Sequence, residues 1–365
     1  MPYKIIISGG GTGGHIFPAI AIANALKSKH PNIQFLFVGA HGKMEMQKVP
    51  KAGFEIKGLY ISGLHRNIKD FRNLMFPFKL LHSLFKSIVV LLKFKPDVVV
   101  GTGGYASGPL LFVASKMGVP ALIQEQNSFP GITNKLLSKT VQKVCVSYPK
   151  MDRFFDPKKL LLLGNPIRKE LSNSHISSDE AYAHFKLEKN KKTILVVGGS
   201  LGAKTINESV RHMVKKLSKK GYQLLWQTGQ AYANLAEQIC RQYKGINTMP
   251  FIARMDYAFH VADVVVSRAG ASSISELCYL AKPSILIPSP NVAEDHQTKN
   301  ASALCDQKAA LMVSDKNASF ELEDVLFDLL EDEKVQEILS NNIKKLAMPD
   351  AATNIADEVI KLIKK

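Results

Sequence analysis

Short apolar runs, many of them β-branched, recur along the chain and alternate with longer stretches of helical periodicity. In the first half they are KIIIS (residues 4–8), IQFLFVG (33–39), DVVVG (97–101), PALIQ (120–124) and KVCVS (143–147). Strand-like runs separated by helix-like segments predict parallel βαβ units. The pattern pauses at LGNPIR (163–168) and restarts with KTILVVGGSLGAKTINESV, YQLLWQTG, DVVVSRAG and PSILIPSP, which predicts a second α/β domain. The expected division is residues 1–163 and 164–349. A last helix over 350–365 would be capped by Asp350, with Ile355, Val359 and Ile363 along one face, and would be free to pack on either domain.

The halves also rhyme, since IIISGGGTGGH and ILVVGGSLGAK both read as strand, glycine loop and helix. The fold class expected is therefore α/β, two Rossmann-like domains with parallel sheets. Ligands of such sheets bind beyond the carboxyl ends of the strands, so two facing domains would set their glycine loops across one cleft. Between the strands lies NLMFPFKLLHSLFKSIVVLL (73–92), apolar but interrupted by Pro77, Lys79, His82 and Lys86, which reads as a buried helix pair.

Composition narrows the partners. The chain has 365 residues, 46% hydrophobic and 22% charged, as a folded protein does, yet 48 Lys and Arg against 31 Asp and Glu leave a formal charge of +17. Such a surface attracts phosphates, nucleic acid or anionic lipid. Nucleic acid is the weakest of these, because the charge is spread out and no aromatic stacking platform accompanies it. Cys145, Cys240, Cys278 and Cys305 are too scattered for a disulfide framework or a zinc site, so reduced, buried thiols are expected. With no signal-peptide pattern and no window of about 18 uninterrupted apolar residues, a cytoplasmic protein is expected.

Four glycine-rich loops follow strand-like runs: GGGTGG (9–14), GTGGYASGP (101–109), GGSLGA (198–203) and RAGASS (268–273). Glycine lets the backbone approach a ligand, and a following helix offers unpaired N–H groups to an anion, so phosphorylated ligands are expected. The first loop satisfies G-x-G-x-x-G, but the second strand ends FLFVGAHG without the acidic residue a dinucleotide ribose needs, and His15 stands where a Walker A loop has lysine. A histidine at a helix start disfavours imidazolium and suits a general base. Glu276, in the first turns of a helix, could bind two sugar hydroxyls. Glu125, just after a strand, could hold a substrate or orient the base. No carboxylate or histidine cluster suggests a metal, so a phosphate leaving group would rely on N–H groups and Arg168.

Taken together, GGGTGGHIFPAIAIA, GTGGYASGP, QEQNSFPGITNKLL, GNPIR, VVGGSLGAKTIN, SRAGASSISEL and EDHQTKNA resemble, in order and over most of the chain, the MurG family of glycosyltransferase family 28. The resemblance implies a GT-B fold whose C-terminal helix returns to the N-terminal domain. It also implies inverting transfer of N-acetylglucosamine (GlcNAc) from UDP-GlcNAc to the C4 hydroxyl of N-acetylmuramic acid (MurNAc) in undecaprenyl-pyrophosphoryl-MurNAc-pentapeptide, lipid I, giving lipid II and UDP. The enzyme would need no cofactor. It would sit on the cytoplasmic face of the bacterial inner membrane, against its anionic inner leaflet, with other cell-wall synthesis enzymes as further partners.

Residue by residue, the resemblance carries donor-site roles to Thr12, Gly13, Gly14, Asn127, Arg168, Ser200, Ile252, Ala271, Ser272, Ser273, Ile274, Ser275, Glu276 and Gln297. His15 matches the proposed base and Glu125 its alternative or support. Gly103, Gly104, Tyr105 and Asn127 match the acceptor side. The backbone of Ile252 would read the uracil edge, Glu276 would bind the ribose, and Arg168 and Ser200 would stabilise departing UDP. Leu74, Met75, Phe76, Phe78, Lys79, Leu81, Phe85 and Lys86 would form the membrane patch. Two positions depart from the family pattern, Gln124 where many relatives have histidine and Thr298 where some have a second glutamine.

Overall fold

The computed structural model describes residues 2–63, 74–168, 171 and 176–364, which divide into two compact units. The first comprises Met1–Ile167 with Met348–Lys365, and the second Arg168–Ala347. In the first, seven parallel strands are ordered β3-β2-β1-β4-β5-β6-β7, where β1 is Lys4–Gly9, β2 Gln34–Ala40, β3 Ile56–Leu59, β4 Val98–Gly103, β5 Ala121–Glu125, β6 Lys143–Val146 and β7 Leu160–Leu162. Register runs Ile6 to Leu36 on one side of β1 and Ile6 to Val99 on the other.

Both faces of this sheet are covered, and the apolar runs show why. Ile5 and Ile7 point into a core shared with Ile16, Ile22 and Leu26 of the helix Gly13–Lys29 and with Ile355 and Val359 of the C-terminal helix Ala351–Ile363. Ile6 points the other way, toward Leu110 and Leu111 of the helix Ser107–Lys116 and Val90 and Leu91 of the helix Phe76–Phe94. A strand covered on both faces reads as a near-continuous apolar run.

The second unit repeats the plan with six parallel strands ordered β10-β9-β8-β11-β12-β13: β8 Thr193–Val197, β9 Gln223–Gln227, β10 Ile246–Met249, β11 Val264–Ser267, β12 Ser284–Leu286 and β13 Leu311–Met312. Strand order reverses between β1 and β4 in one sheet and between β8 and β11 in the other. Loops leaving the carboxyl ends of strands at such a reversal splay apart and leave a crevice. All four glycine-rich loops of the sequence sit at these two places.

Three expectations need correction. The division falls after Ile167, not after residue 163. Leu163 and Gly164 both donate to the Val146 carbonyl, and Gly164, at φ +88°, leaves only 2.5 Å between an added Cβ and the Cβ of Met348 in the returning segment. Residues 164–167 are thus fastened to the first unit. The final helix begins at Ala351, and its return starts at Met348.

The apolar segment is one helix, Phe76–Phe94, not a buried pair. Ser83, Ser87, Val90 and Leu91 face the sheet, while Phe78, Leu81, Phe85, Ile88 and Leu92 form an outward row, Phe85 at 69% exposure. Leu74 and Met75 are exposed just ahead of it, Phe76 and Lys86 are half-buried, and Lys79 donates to Ser62 Oγ at 3.1 Å. Asn73 lies outside the described residues. Among those residues no helix is long and apolar enough to cross a membrane.

Cys145, Cys240 and Cys278 are buried free thiols and Cys305 is half-buried. Burial pushes the Cys240 thiol up to about 11 and that of Cys278 up to about 12, which keeps both protonated and unreactive.

Substituting Gly164→Ala should lower stability by roughly 1–3 kcal/mol, combining positive-φ strain with overlap on Met348. An unchanged chemical-denaturation midpoint would remove Gly164 as the fastening point.

Candidate active site

At the reversal in the first sheet two glycine turns meet backbone to backbone. A Cβ on Gly104 would overlap the Gly10 carbonyl oxygen, and one on Gly103 would stand 2.9 Å from Nδ1 and Cε1 of His15. Both residues have positive φ, +86° and +96°, so glycine is required there for conformation as well as space. Tyr105, which follows, is half exposed, with its ring packed at Gly63.

His15 lies in the first turn of the helix Gly13–Lys29, which Thr12 enters with extended backbone; the Thr12 carbonyl accepts from His15 N and Ile16 N. Gly13 and Gly14 open that turn, where main-chain N–H groups lack partners within the helix. Thr102 Oγ1 donates to the His15 carbonyl at 2.8 Å and fixes the turn to β4. The imidazole Nδ1 is 2.9 Å from Gln126 Oε1.

The next loop is organised by Glu125, which is 1% exposed. Its Oε1 accepts from Asn127 N at 3.0 Å and Asn127 Nδ2 at 3.2 Å, and its Oε2 from Gly131 N at 3.2 Å and Asn134 Nδ2 at 2.8 Å. A carboxylate has about four acceptor positions, and here four donors fill them. Glu125 therefore shapes the loop that carries Asn127. Gln124 is fully buried, donates to Asn165 Oδ1 at 2.8 Å and accepts from Gln126 Nε2. The departure at position 124 thus falls inside a packed amide network.

One residue of this site had no signal in the sequence. Glu45, 0% exposed, accepts from Gly11 N at 3.0 Å and Ala40 N at 2.9 Å, with its carboxylate in the space left by the missing side chain of Gly10. The Gly11 N–H is consequently closed to a phosphate, which corrects the expectation for that part of the loop.

In the second unit the loops after β8 and β11 carry the donor-site positions. Gly202, at φ +77°, packs directly on the Thr228 carbonyl and leaves Ser200 exposed at the loop tip. The helix Ala271–Leu280 starts from Gly270 without a side-chain cap, which leaves its first N–H groups for another acceptor. In its first turn Ser272 Oγ is buried with no hydrogen-bond partner among the described residues, a condition that a bound ligand relieves. Ser273 is half-buried, Ser275 Oγ turns back to the Ala271 carbonyl, and Ala271 and Ile274 are buried, so these last two could meet a ligand only through the main chain.

Glu276 is 3% exposed and paired with Arg168 Nε at 2.7 Å. The sequence assigns these residues separate tasks, whereas here each holds the other in place. A carboxylate so buried needs a partner, and an arginine paired through Nε still has its terminal N–H groups. Gln297 accepts from Ser289 N at 2.8 Å, and Thr298 donates to Asp295, so position 298 is occupied locally.

For Ile252 the structure distinguishes the two main-chain groups. Its N–H donates to Gln227 Oε1 at 2.9 Å, so for a nucleobase edge the carbonyl is the group that remains. Gln227, at the end of β9, also donates from Nε2 to the Gly199 carbonyl at 2.9 Å and thereby ties the glycine loop to Ile252. Only its place at a strand end marked it in the sequence. Among the described residues no three His, Cys, Asp or Glu side chains are grouped to hold a metal ion.

The glycosyltransferase family 28 N-terminal domain matches residues 5–146, and the family 28 C-terminal domain matches residues 193–355. The chain belongs to glycosyltransferase family 28. A family 28 relative from Flavobacterium psychrophilum, named UDP-N-acetylglucosamine--N-acetylmuramyl-(pentapeptide) pyrophosphoryl-undecaprenol N-acetylglucosamine transferase, is 53% identical over 361 residues, covering 99% of this chain and 98% of its own. The crystal structure of Acinetobacter baumannii MurG superimposes with a TM-score of 0.78 at 27% identity, covering 99% of this chain and all of that one. A UDP-GlcNAc 2-epimerase from Neisseria meningitidis, bound to UDP-GlcNAc, reaches a TM-score of 0.67 at 14% identity over 99% of this chain and 100% of its own, which is a likeness of fold alone. The architecture is GT-B, and the family 28 match separates this chain from epimerases built on the same plan.

Replacing Glu125 by Gln would turn an NH2 group toward donors it now accepts from. Loss of roughly 1–3 kcal/mol is expected from the buried mismatch. Unchanged thermal unfolding of Glu125→Gln would contradict its assignment to the loop.

Proposed function

We infer that this enzyme transfers GlcNAc from UDP-GlcNAc to the MurNAc unit of undecaprenyl-pyrophosphoryl-MurNAc-pentapeptide, giving lipid II and UDP in peptidoglycan synthesis. The observation that carries the reading is near-complete coverage at 53% identity by a relative named for this transfer. The geometry adds the chemistry. His15 is the general base: it takes the proton of the MurNAc C4 hydroxyl as that oxygen attacks the anomeric carbon and the bond to the UDP oxygen breaks. A direct displacement of this kind inverts the anomeric centre. Glu125, with its acceptor positions filled, is no nucleophile for a two-step route; it supports the reaction by holding Asn127.

The second unit binds the nucleotide. The N-terminus of the helix Ala271–Leu280, Ser272 Oγ, Ser200 and the terminal N–H groups of Arg168 receive the charge that develops on UDP, in place of a metal ion. Glu276 orients Arg168 and binds the ribose. The Ile252 carbonyl meets the uracil N3–H, and Gln297 the donor sugar. The acceptor side is Gly103, Gly104, Tyr105 and Asn127, the glycines through their main chain.

The lipid-linked acceptor places the enzyme at the anionic inner leaflet, as a peripheral protein on the cytoplasmic face. The exposed row Phe78, Leu81, Phe85, Ile88 and Leu92 enters the interface. Lys79, Lys86, Lys93 and Lys95 flank it, each worth up to about 1 kcal/mol near such a surface.

Transfer of labelled GlcNAc to a lipid I analogue should proceed with EDTA present and should not occur to diacylglycerol; the reverse acceptor preference would discard the assignment. His15→Ala should cut turnover roughly 10²- to 10⁴-fold while UDP binding, followed by calorimetry, stays within a few-fold. Near-normal turnover would take the base role from His15. The double variant Leu81→Glu, Phe85→Glu should lose binding to vesicles containing anionic lipid while keeping turnover on a short-chain acceptor. Equal vesicle binding would move the membrane patch elsewhere.

A further inference from the structure

The His15 imidazole is met on its Nδ1 side by the buried amide of Gln126. The nitrogen end of the Gln126 amide lies 2.8 Å from the Thr102 carbonyl, 3.0 Å from the Gln124 carbonyl, and within reach of Gln124 Oε1. Main-chain carbonyls cannot donate, so only the NH2 end of the amide fits among them. The oxygen end therefore faces His15, and an amide oxygen only accepts. Hence the nitrogen 2.9 Å away, Nδ1, bears the hydrogen.

We propose that Gln126 is a positioning residue that locks neutral His15 in the Nδ1–H tautomer and so makes Nε2 the proton-accepting atom. The proposal rests on the reading of His15 as the base. In the transfer, the Nε2 lone pair takes the hydroxyl proton, the hydroxyl oxygen bonds to the anomeric carbon, and the electron pair of the broken bond leaves on UDP. The imidazolium so formed keeps its Nδ1–H on Gln126 Oε1. An uncharged amide cannot remove that proton, so it returns to solvent through Nε2.

The lock is itself held on several sides. Gln126 is 1% exposed, Gln124 donates onward to Asn165 Oδ1, and Asn165 Nδ2 donates back to the Gln126 carbonyl at 3.0 Å. Gly103 keeps the space beside the ring open, because any Cβ there would push into Nδ1. The amide cannot turn over without setting its oxygen against two carbonyl oxygens.

The test is long-range proton–nitrogen correlation NMR on the full chain labelled with ¹⁵N-histidine, with the His15 signals assigned from the spectrum of His15→Ala. Neutral His15 should show a protonated Nδ1 and an unprotonated Nε2. In Gln126→Leu the ring should shift toward the Nε2–H form that dominates free histidine, and kcat should fall about 10- to 100-fold with KM for UDP-GlcNAc within about twofold. Should Gln126→Leu fail to fold, Gln126→Met and the wild-type spectrum carry the test. An Nε2–H signal in wild type, or an unchanged Nδ1–H signature in a folded Gln126 variant, would overturn the proposal. Full turnover by His15→Ala would instead overturn the base reading, and the spectra would still report the tautomer.

Discussion

The first site depends on two glycine turns approaching closer than any side chain allows. With Gly104 set against the Gly10 carbonyl and Gly103 beneath the His15 ring, the end of β4 reaches the start of the helix after β1. That contact brings the Thr102 hydroxyl to the His15 carbonyl and the Thr102 carbonyl to Gln126. The imidazole is thus held through main-chain groups whose positions follow from the sheet. The second unit obeys the same constraint with other partners, since a Cβ on Gly202 or Gly229 would overlap the Thr228 or Leu201 carbonyl respectively. Much of the glycine at these reversals serves loop-to-loop packing, and access to a ligand follows from that packing.

Buried carboxylates show how a site for phosphorylated substrates tolerates negative charge. Glu45 is engaged by two main-chain N–H groups, Glu125 by two more and the Asn127 and Asn134 amides, and Glu276 by Arg168. Glu45 and Glu276 tie together segments distant in sequence while Glu125 closes its own loop, and the cost of burying each is offset by donors on the spot. The Arg168 pair differs in kind: a cation beside a carboxylate keeps a net zero charge locally.

The fold was legible in the sequence where strands are covered on both faces. The nine strand-like runs became the central strands of the two sheets. Ile56–Leu59, Leu160–Leu162, Ile246–Met249 and Leu311–Met312 gave no comparable signal, and they are the outermost strands of their sheets. An edge strand is short and bonded on one side, so it needs no continuous apolar run. Within the candidate site, the sequence motifs marked His15, Asn127, Arg168 and Glu276. The site was not legible at Glu45, Gln126 or Gln227, because their meaning lies in partners 25 to 111 residues away.

The segment Gly164–Arg168 shows how one short stretch serves both units. Asn165 belongs to the amide network behind His15, and Arg168 pairs with Glu276 in the second unit. Between them Pro166 fixes its own φ and lacks an N–H. Proline also holds the residue before it in extended backbone, which suits an asparagine that must span from one loop to the next. A glycine, an asparagine, a proline and an arginine in that order therefore answer three demands at once: close packing on Met348, a bond to the Gln126 carbonyl, and a cation paired with Glu276 at the start of the second unit.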